Sequence, residues 1–109
     1  GANFVARAFS GDPNGVAAIL AEAIRHPGFS FVEVLSPCVT FRPEQRNWKQ
    51  AVHPAPVEPT NDPAQAARRI LTDDGFNVGI LYRGDRMVYA PPVGKGKKKP
   101  ADLERGFEV

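Results

Sequence analysis

The sequence is poor in the side chains that small proteins use for covalent or metal crosslinks. It has one cysteine and two histidines among 109 residues. A single cysteine excludes an internal disulfide framework and suits a reducing compartment, so we expect a cytoplasmic protein. His26 and His53 lie far apart and are interpreted as a helix C-terminal cation and a connector residue. Neither is predicted to bind a metal ion.

Membrane and catalytic signals are also missing. No apolar run approaches the roughly 20 residues that span a bilayer, and residues 1–7 carry no signal-peptide pattern, so no membrane partner is expected. Motifs for nucleotide phosphates and for a nucleophile elbow are absent. Asp12 and Asp62 are interpreted as helix caps, and Asp73 and Asp74 as exposed. By residue chemistry alone, the chain is not a self-contained enzyme.

The net charge of +2 is small and unevenly distributed. Four of the 14 basic residues lie close together, namely Lys95, Lys97, Lys98 and Lys99, which leaves ten basic residues against 12 acidic ones elsewhere. No aromatic residue alternates with these lysines to stack on bases, so no nucleic-acid partner is expected. We predict a flexible, disordered basic tail over residues 91–109 and a single folded domain over residues 1–90.

The first third of the sequence has the pattern of a β-strand, a helix and a second strand. Residues 4–9 and 29–35 are apolar and β-prone, and Asp12-Pro13 is a helix start signal. A helix over residues 13–26 would bury one stripe, made of Val16, Ile19, Leu20, Ala23 and Ile24. The spacing predicts a βαβ unit with a right-handed crossover, and therefore an α/β fold with a parallel sheet.

The remaining folded part is less regular. Residues 43–52 suit two helical turns with Trp48 as a packing residue, and the three prolines in residues 53–59 indicate a connector without regular structure. A helix is predicted from Asp62-Pro63 to about Asp74. Its buried stripe would be Ala66, Ala67, Ile70 and Leu71. A strand over residues 78–82 and a return strand over residues 87–89 would follow.

Cys38 lies just after the most strand-like segment of the chain. Pro37 has no N–H to donate, so the strand over residues 29–35 should end before it. Cys38 would then lie on the loop beyond the carboxyl end of a strand, which is where open α/β sheets bind ligands. A lone cysteine is more often a buried structural thiol than a ligand or nucleophile, and position alone leaves both interpretations open.

Two long segments and a shorter one carry a family resemblance. Residues 1–13 read GANFVARAFSGDP, residues 23–41 read AIRHPGFSFVEVLSPCVTF, and residues 78–83 read VGILYR. They closely resemble the carboxy-terminal part of the β subunit of 2-oxoacid:ferredoxin oxidoreductases, best the two-subunit, 2-oxoglutarate type. The resemblance covers about residues 1–90. It implies a thiamine-diphosphate-binding fold, of which this chain would supply the last strands and helices.

The resemblance also implies an activity for the intact enzyme and a role for the cysteine. The family decarboxylates a 2-oxoacid on thiamine diphosphate and Mg²⁺, passes electrons through a [4Fe–4S] cluster to ferredoxin, and leaves an acyl-coenzyme A. The implied partners are an α subunit, ferredoxin, coenzyme A and the 2-oxoacid. Three cluster ligands of the family come from the amino-terminal part of the β subunit and a fourth from a Ser-Pro-Cys loop. Only Cys38 matches that fourth ligand here.

The sequence also departs from the family pattern. The Gly-Asp-Gly…Asn motif that holds magnesium and diphosphate, the other cluster cysteines and the substrate-binding lysines are absent. We therefore expect the 109-residue chain, which starts in a strand without methionine, to be an inactive piece that binds no cofactor alone. The alternative is a free-standing α/β protein-interaction module with a structural Cys38 and a basic docking tail.

Overall fold

The computed structural model describes residues 1–89 and residue 101. Three helices flank one four-stranded mixed sheet whose strand order is β2-β1-β4-β3. The elements are β1 (Phe4–Phe9), α1 (Pro13–Arg25), β2 (Ser30–Leu35), a 3₁₀ turn (Pro43–Asn47) leading into α2 (Trp48–Ala51), β3 (His53–Pro54), α3 (Pro63–Thr72) and β4 (Asn77–Arg83). The α/β class expected from the sequence is confirmed.

The amino-terminal βαβ unit forms as predicted. β1 and β2 pair in parallel, from Phe4 opposite Ser30 to Phe9 opposite Leu35, and α1 packs against both strands. The Asp12 carboxylate accepts a hydrogen bond from the Gly15 N–H at 3.1 Å, which satisfies one of the free donors at the start of α1. Local signals in the sequence therefore suffice to place these three elements.

The buried side of α1 is narrower than predicted. The core consists of Phe4, Ala6 and Ala23, with Ile19, Val32 and Ile80 packed against it. The prediction that Ile24 is buried is wrong, since that residue is 84% exposed, and Leu20 is also exposed. The reason is geometric: the side of α1 that faces the sheet passes through Ile19 and Ala23, and Ile24 lies about 100° further around the helix.

The sheet is parallel only in part. β4 runs antiparallel to β1, with Val5 opposite Tyr82, and parallel to the short β3. The predicted parallel pairing therefore holds for β1 with β2 and for β3 with β4, whereas the β1–β4 pair departs from it. The alternation of apolar residues shows which face a strand buries, but it does not specify the direction in which the strand runs.

The predicted return strand over residues 87–89 does not form. Both edges of β4 are already occupied, by β1 on one side and by β3 and Thr60 on the other, where the Arg83 N–H donates to the Thr60 carbonyl at 3.0 Å. The chain leaving β4 is instead held near Asn3, whose carbonyl accepts from the Gly84 N–H at 2.6 Å. A hairpin strand would have no free edge to pair with.

The connector and α3 differ from the prediction in detail. The start of the proline-rich connector is not wholly irregular, because His53 and Pro54 form β3 beside β4. The Asp62 carboxylate caps α3 by accepting from the Ala64 N–H at 3.0 Å, as predicted. The helix ends at Thr72.

The predicted buried stripe of α3 and the packing role of Trp48 have different outcomes. Ala66 is buried and Ile70 half-buried, whereas Ala67 and Leu71 are exposed, so the stripe is wrong at those two positions. Trp48 is half-buried and meets the Phe76 ring edge-on at 5.7 Å between ring centres. That contact confirms Trp48 as a packing residue next to the connector.

The basic tail predicted for residues 91–109 lies outside the described residues, apart from Ala101. Within the described part of the chain, no helix has both the length and the apolar character needed to cross a membrane. The four strands and three helices named above lie within residues 1–89.

Candidate functional site

The Cys38 loop leaves the sheet at the carboxyl end of β2. β2 ends at Leu35, Pro37 follows as predicted, and Cys38 is a free, exposed cysteine. Two hydrogen bonds hold its backbone: the Cys38 N–H donates to the Gln45 side-chain oxygen at 2.7 Å, and its carbonyl accepts from the Arg42 N–H at 2.8 Å. The short 3₁₀ turn after the loop therefore fixes the position from which the thiol projects.

The surroundings of Cys38 fit one ligand of a cluster and no more. No group of three or more His, Cys, Asp or Glu side chains lies within reach of a common metal ion in the described part of the chain. A [4Fe–4S] cluster needs a protein ligand on each of its four irons, so Cys38 could supply one of four. Likewise, the sequence contains no Gly-Asp-Gly…Asn motif to hold magnesium and thiamine diphosphate.

An ionic network surrounds the buried Arg7 at the centre of the sheet, and sequence reasoning missed it. Arg7 of β1 is buried, and its guanidinium donates to the Glu33 carboxylate at 2.8 Å and to the Asp73 carboxylate at 3.2 Å. Asp73 was expected to be exposed, yet its side chain is only 10% exposed. The available signal was Arg7 itself, a charged residue inside an otherwise apolar strand that requires a buried partner.

The pKa shifts of Arg7 and Asp73 both favour the charged form of the side chain. Burial disfavours the charge on Arg7, but hydrogen bonds to Glu33 and Asp73 outweigh it and raise the pKa of the guanidinium. Burial also opposes the charge on Asp73, yet bonds from the Gly75 N–H, the Asn77 side chain and Arg7 hold the pKa of that carboxyl below its ordinary value. Both shifts therefore favour the ion pair between Arg7 and Asp73.

A second ion pair lies on the surface, where β3 meets the end of α3. His53 Nε2 is 2.7 Å from the Asp74 carboxylate, and both side chains are largely exposed. The hydrogen bond with Asp74, followed by one with the Pro54 carbonyl, raises the pKa of His53. The hydrogen bonds from His53 and from the Phe76 N–H lower the pKa of Asp74. His53 is therefore more than a connector residue, although no metal site forms around it within the described residues.

A cavity of about 450 Å³ lies between the connector, α3 and β4. Its apolar lining comes from Ala55, Pro56, Val57, Ala66, Ile70 and Leu81. The acidic groups at its rim, Asp73 and Asp74, are already paired with Arg7 and His53. Within residues 1–89 the cavity therefore offers no unpaired acid–base couple for catalysis.

His26 also has a structural environment. Its ring lies 5.5 Å from the Phe4 ring, measured between centres, and its Nε2 is 2.9 Å from the Gly84 carbonyl oxygen. It follows directly after α1, where the sequence places it as a C-terminal residue. These contacts connect the end of α1 to the segment that follows β4, which is typical of a packing residue rather than a catalytic one.

Comparison with known proteins gives one informative similarity. No protein-family model matches the chain, and no curated protein matches it. Among solved structures, the chain is similar to a chain of the 2-oxoglutarate:ferredoxin oxidoreductase from Magnetococcus marinus, solved with 2-oxoglutarate, coenzyme A and succinyl-CoA bound. The TM-score is 0.67 at 29% identity, over 81% of this chain. This chain spans about a third (32%) of the length of that one.

The similarity supports the family that residues 1–13 and 23–41 resemble, but not a particular subunit. The mixed sheet and its three helices are consistent with part of a thiamine-diphosphate-type α/β fold. Subunit identity, substrate, cofactors and the role of Cys38 are matters for the proposal below.

Proposed function

We propose that this chain is the carboxy-terminal part of the β subunit of a 2-oxoacid:ferredoxin oxidoreductase, of the 2-oxoglutarate type, in which Cys38 is one ligand of a [4Fe–4S] cluster. The similarity to the Magnetococcus marinus enzyme over 81% of the chain carries the proposal. The exposed, free thiol at the carboxyl end of β2 supports the ligand role, because a thiolate must be accessible to bind iron.

The intact enzyme would convert a 2-oxoacid and coenzyme A to an acyl-coenzyme A and carbon dioxide, with two electrons passed to ferredoxin. Thiamine diphosphate with Mg²⁺, held by residues outside this sequence, would stabilise the carbanion left by decarboxylation. The α subunit and ferredoxin would be its protein partners, in the cytoplasm. This chain would contribute part of the sheet and one thiolate, so residues 1–109 alone would be inactive.

Two features of the loop suit the ligand role. Thiolate is the soft ligand that iron–sulfur clusters require, and no other cysteine is present in the sequence. The hydrogen bonds that Gln45 and Arg42 make with the Cys38 backbone hold the loop, so the thiol would be positioned before a cluster binds.

The experiment compares Cys38→Ser and Ser36→Ala in the full-length β subunit co-expressed with its α partner. We expect Cys38→Ser to lose cluster iron and its visible absorbance, and ferredoxin reduction to fall on the order of 100-fold, because a serine oxygen is a poorer ligand for cluster iron. Ser36→Ala, two residues earlier in the same loop, should keep both. A Cys38→Ser enzyme with normal iron content and electron transfer would show that Cys38 is a structural thiol.

A further inference from the structure

The cavity between the connector, α3 and β4 has the size and the walls of a small-molecule site. Its volume of about 450 Å³ lies within the roughly 300–1,000 Å³ that is typical of ligand sites. Ala66 and Ile70 of α3 line it on the helix side, and Pro56 and Val57 line it from the connector. Sites of this kind combine apolar walls with a few polar groups that orient the ligand. The polar groups on the lining therefore indicate which ligand would fit.

The charged groups on this lining are balanced, with one exception. The carboxylates of Asp73 and Asp74 each belong to an ion pair, the first with Arg7 and the second with His53. Arg69 also lines the cavity and is half-buried, but it forms no ion pair in the part of the chain that the structure describes. The lining thus carries one positive charge without a counter-charge from the described residues.

Arg69 lies on the face of α3 that borders the cavity. It follows Ala66 by three residues and Ile70 follows Ala66 by four, so the three share one face of the helix, and all of them line the cavity. Arg68 is exposed and is not part of the lining. A charged side chain on the inner face of a helix is unusual unless an opposite charge accompanies it. Of these two neighbouring arginines, only Arg69 is placed to meet a molecule in the cavity.

The hydrogen bonding of Arg69 leaves one edge of its guanidinium open. Nη1 donates to the Glu58 carbonyl at 2.8 Å, and no described residue accepts from Nε or Nη2. That edge matches the two oxygens of a carboxylate. A dianion would leave one negative charge unbalanced beside Asp73 and Asp74, so a single charge is favoured. We propose that this cavity binds a small monocarboxylic acid, with its apolar body between α3 and the connector and its carboxylate on Arg69.

This binding site goes beyond the proposed oxidoreductase function and does not depend on it, because none of the residues that line the cavity belongs to the Cys38 loop. Two other occupants compete with a free ligand. Residues 90–109 include three acidic side chains that could pair with Arg69, namely Asp102, Glu104 and Glu108. A part of a longer polypeptide outside this sequence could also fill the cavity. Each of these occupants predicts a different result from that of a free monocarboxylate.

Titration of the 109-residue chain with three matched compounds tests the proposal. Phenylacetate carries one carboxylate, 2-phenylethanol has the same apolar body without a charge, and phenyl phosphate carries close to two negative charges at neutral pH. In two-dimensional NMR spectra, phenylacetate should shift the amide signals of Ala66, Ile70 and Leu81, which line the cavity. It should bind on the order of 10-fold more tightly than either of the other compounds. The amide signal of the exposed Ala17 on α1 should not move.

Substitutions identify the group that binds the carboxylate. Arg69→Met should weaken the binding of phenylacetate on the order of 10-fold and leave that of 2-phenylethanol unchanged, because only the interaction with the charge is removed. Arg69→Lys should recover part of the affinity. Arg68→Met, the matched control at the exposed neighbouring position, should change the binding of neither compound. Val57→Trp should weaken the binding of both, because Val57 lines the cavity, is 50% exposed and can accept a larger side chain that fills the site.

Each other outcome overturns the proposal. Equal affinity for phenylacetate and 2-phenylethanol, or equal losses in Arg69→Met and Arg68→Met, would show that Arg69 does not bind the carboxylate. Binding that appears only after the three acidic residues of the range 90–109 are replaced by amides would assign Arg69 to that segment. Binding to this chain but not to the full-length natural protein would show that another part of the polypeptide fills the cavity. Iron content and ferredoxin reduction play no part in these tests, so the catalytic proposal stands or fails separately.

Discussion

The two halves of the described domain hold together by different means. The first half, β1, α1 and β2, is joined by apolar packing of Phe4, Ala6 and Ala23 and by a regular parallel ladder. The second half, β3, α3 and β4, is joined to it by the antiparallel β1–β4 ladder and by the ion pair of Arg7 with Asp73. Apolar packing within one βαβ unit follows a local pattern of residues in the sequence, whereas ion pairs between distant segments do not. Substitutions can measure separately how much each kind of contact contributes to the free energy of unfolding.

The largest effect should come from the apolar half. Phe4 is fully buried, so Phe4→Ala should lower the free energy of unfolding by about 4 kcal/mol through lost burial and the cavity that remains. Ile24→Ala is the matched control on α1, and because Ile24 is exposed it should cost less than about 0.5 kcal/mol. Urea unfolding measures both, and similar losses would show that α1 packs through a different face.

The next largest effect should come from the ionic network that joins the halves. Arg7→Met should cost about 3 kcal/mol, because it leaves the buried Asp73 carboxylate without its cation. Asp73→Asn in the same chain should recover part of that loss. Arg25→Met, an exposed arginine at the end of α1, serves as the control and should be nearly neutral. A neutral Arg7→Met would mean that the β1–β4 ladder and apolar packing hold the halves together without help from this ion pair.

The helix caps should have smaller and nearly equal effects in the two halves. Asp12→Ala removes the bond to the Gly15 N–H, and Asp62→Ala removes the bond to the Ala64 N–H. Each should lower the free energy of unfolding by about 1 kcal/mol. A much larger loss for one cap, measured by urea unfolding, would show that this helix depends on its local start signal more than on packing.

The smallest effect concerns the exposed pair of His53 and Asp74. The pKa of His53 is raised by Asp74. The contribution of protonated His53 to the free energy of unfolding is therefore complete below about pH 6.5 and is lost as the pH rises through the folded-state pKa. The pKa of Asp74 is lowered. The contribution of ionised Asp74 to the free energy of unfolding is therefore present above about pH 3.9 and is lost as the pH falls through the pKa of Asp74 in the folded state.

Titration by NMR tests this pair directly. Asp74→Asn should return the pKa of His53 towards its ordinary value, because the largest cause of the shift is removed. An unchanged pKa of His53 in Asp74→Asn would show that the Pro54 carbonyl, rather than Asp74, controls it.

Particular residues show where sequence reasoning succeeded. Asp12-Pro13 and Asp62-Pro63 each started a helix as predicted, because capping involves only neighbouring groups. Pro37 ended β2 before Cys38, because the missing N–H acts at that position whatever the tertiary structure. The location of the candidate ligand loop was therefore predictable, although the role of Cys38 remains to be tested.

Other residues show where sequence reasoning failed. Ile24 was expected in the core, but the spacing of apolar residues along a helix does not specify which side of that helix packs against the sheet. Residues 87–89 suited a strand, but β4 had no free edge to accept them. Asp73 was expected to be exposed because its partner, Arg7, lies 66 positions away in the sequence.

The sequence by itself determined the βαβ unit, the starts of α1 and α3, the end of β2 and the family that the chain resembles, because these depend on neighbouring residues and on long matching motifs. Only the tertiary structure decided the direction of β4 and the pairing of the buried Arg7 with Glu33 and Asp73. Those features depend on which distant segments meet, and no local pattern of side chains contains that information.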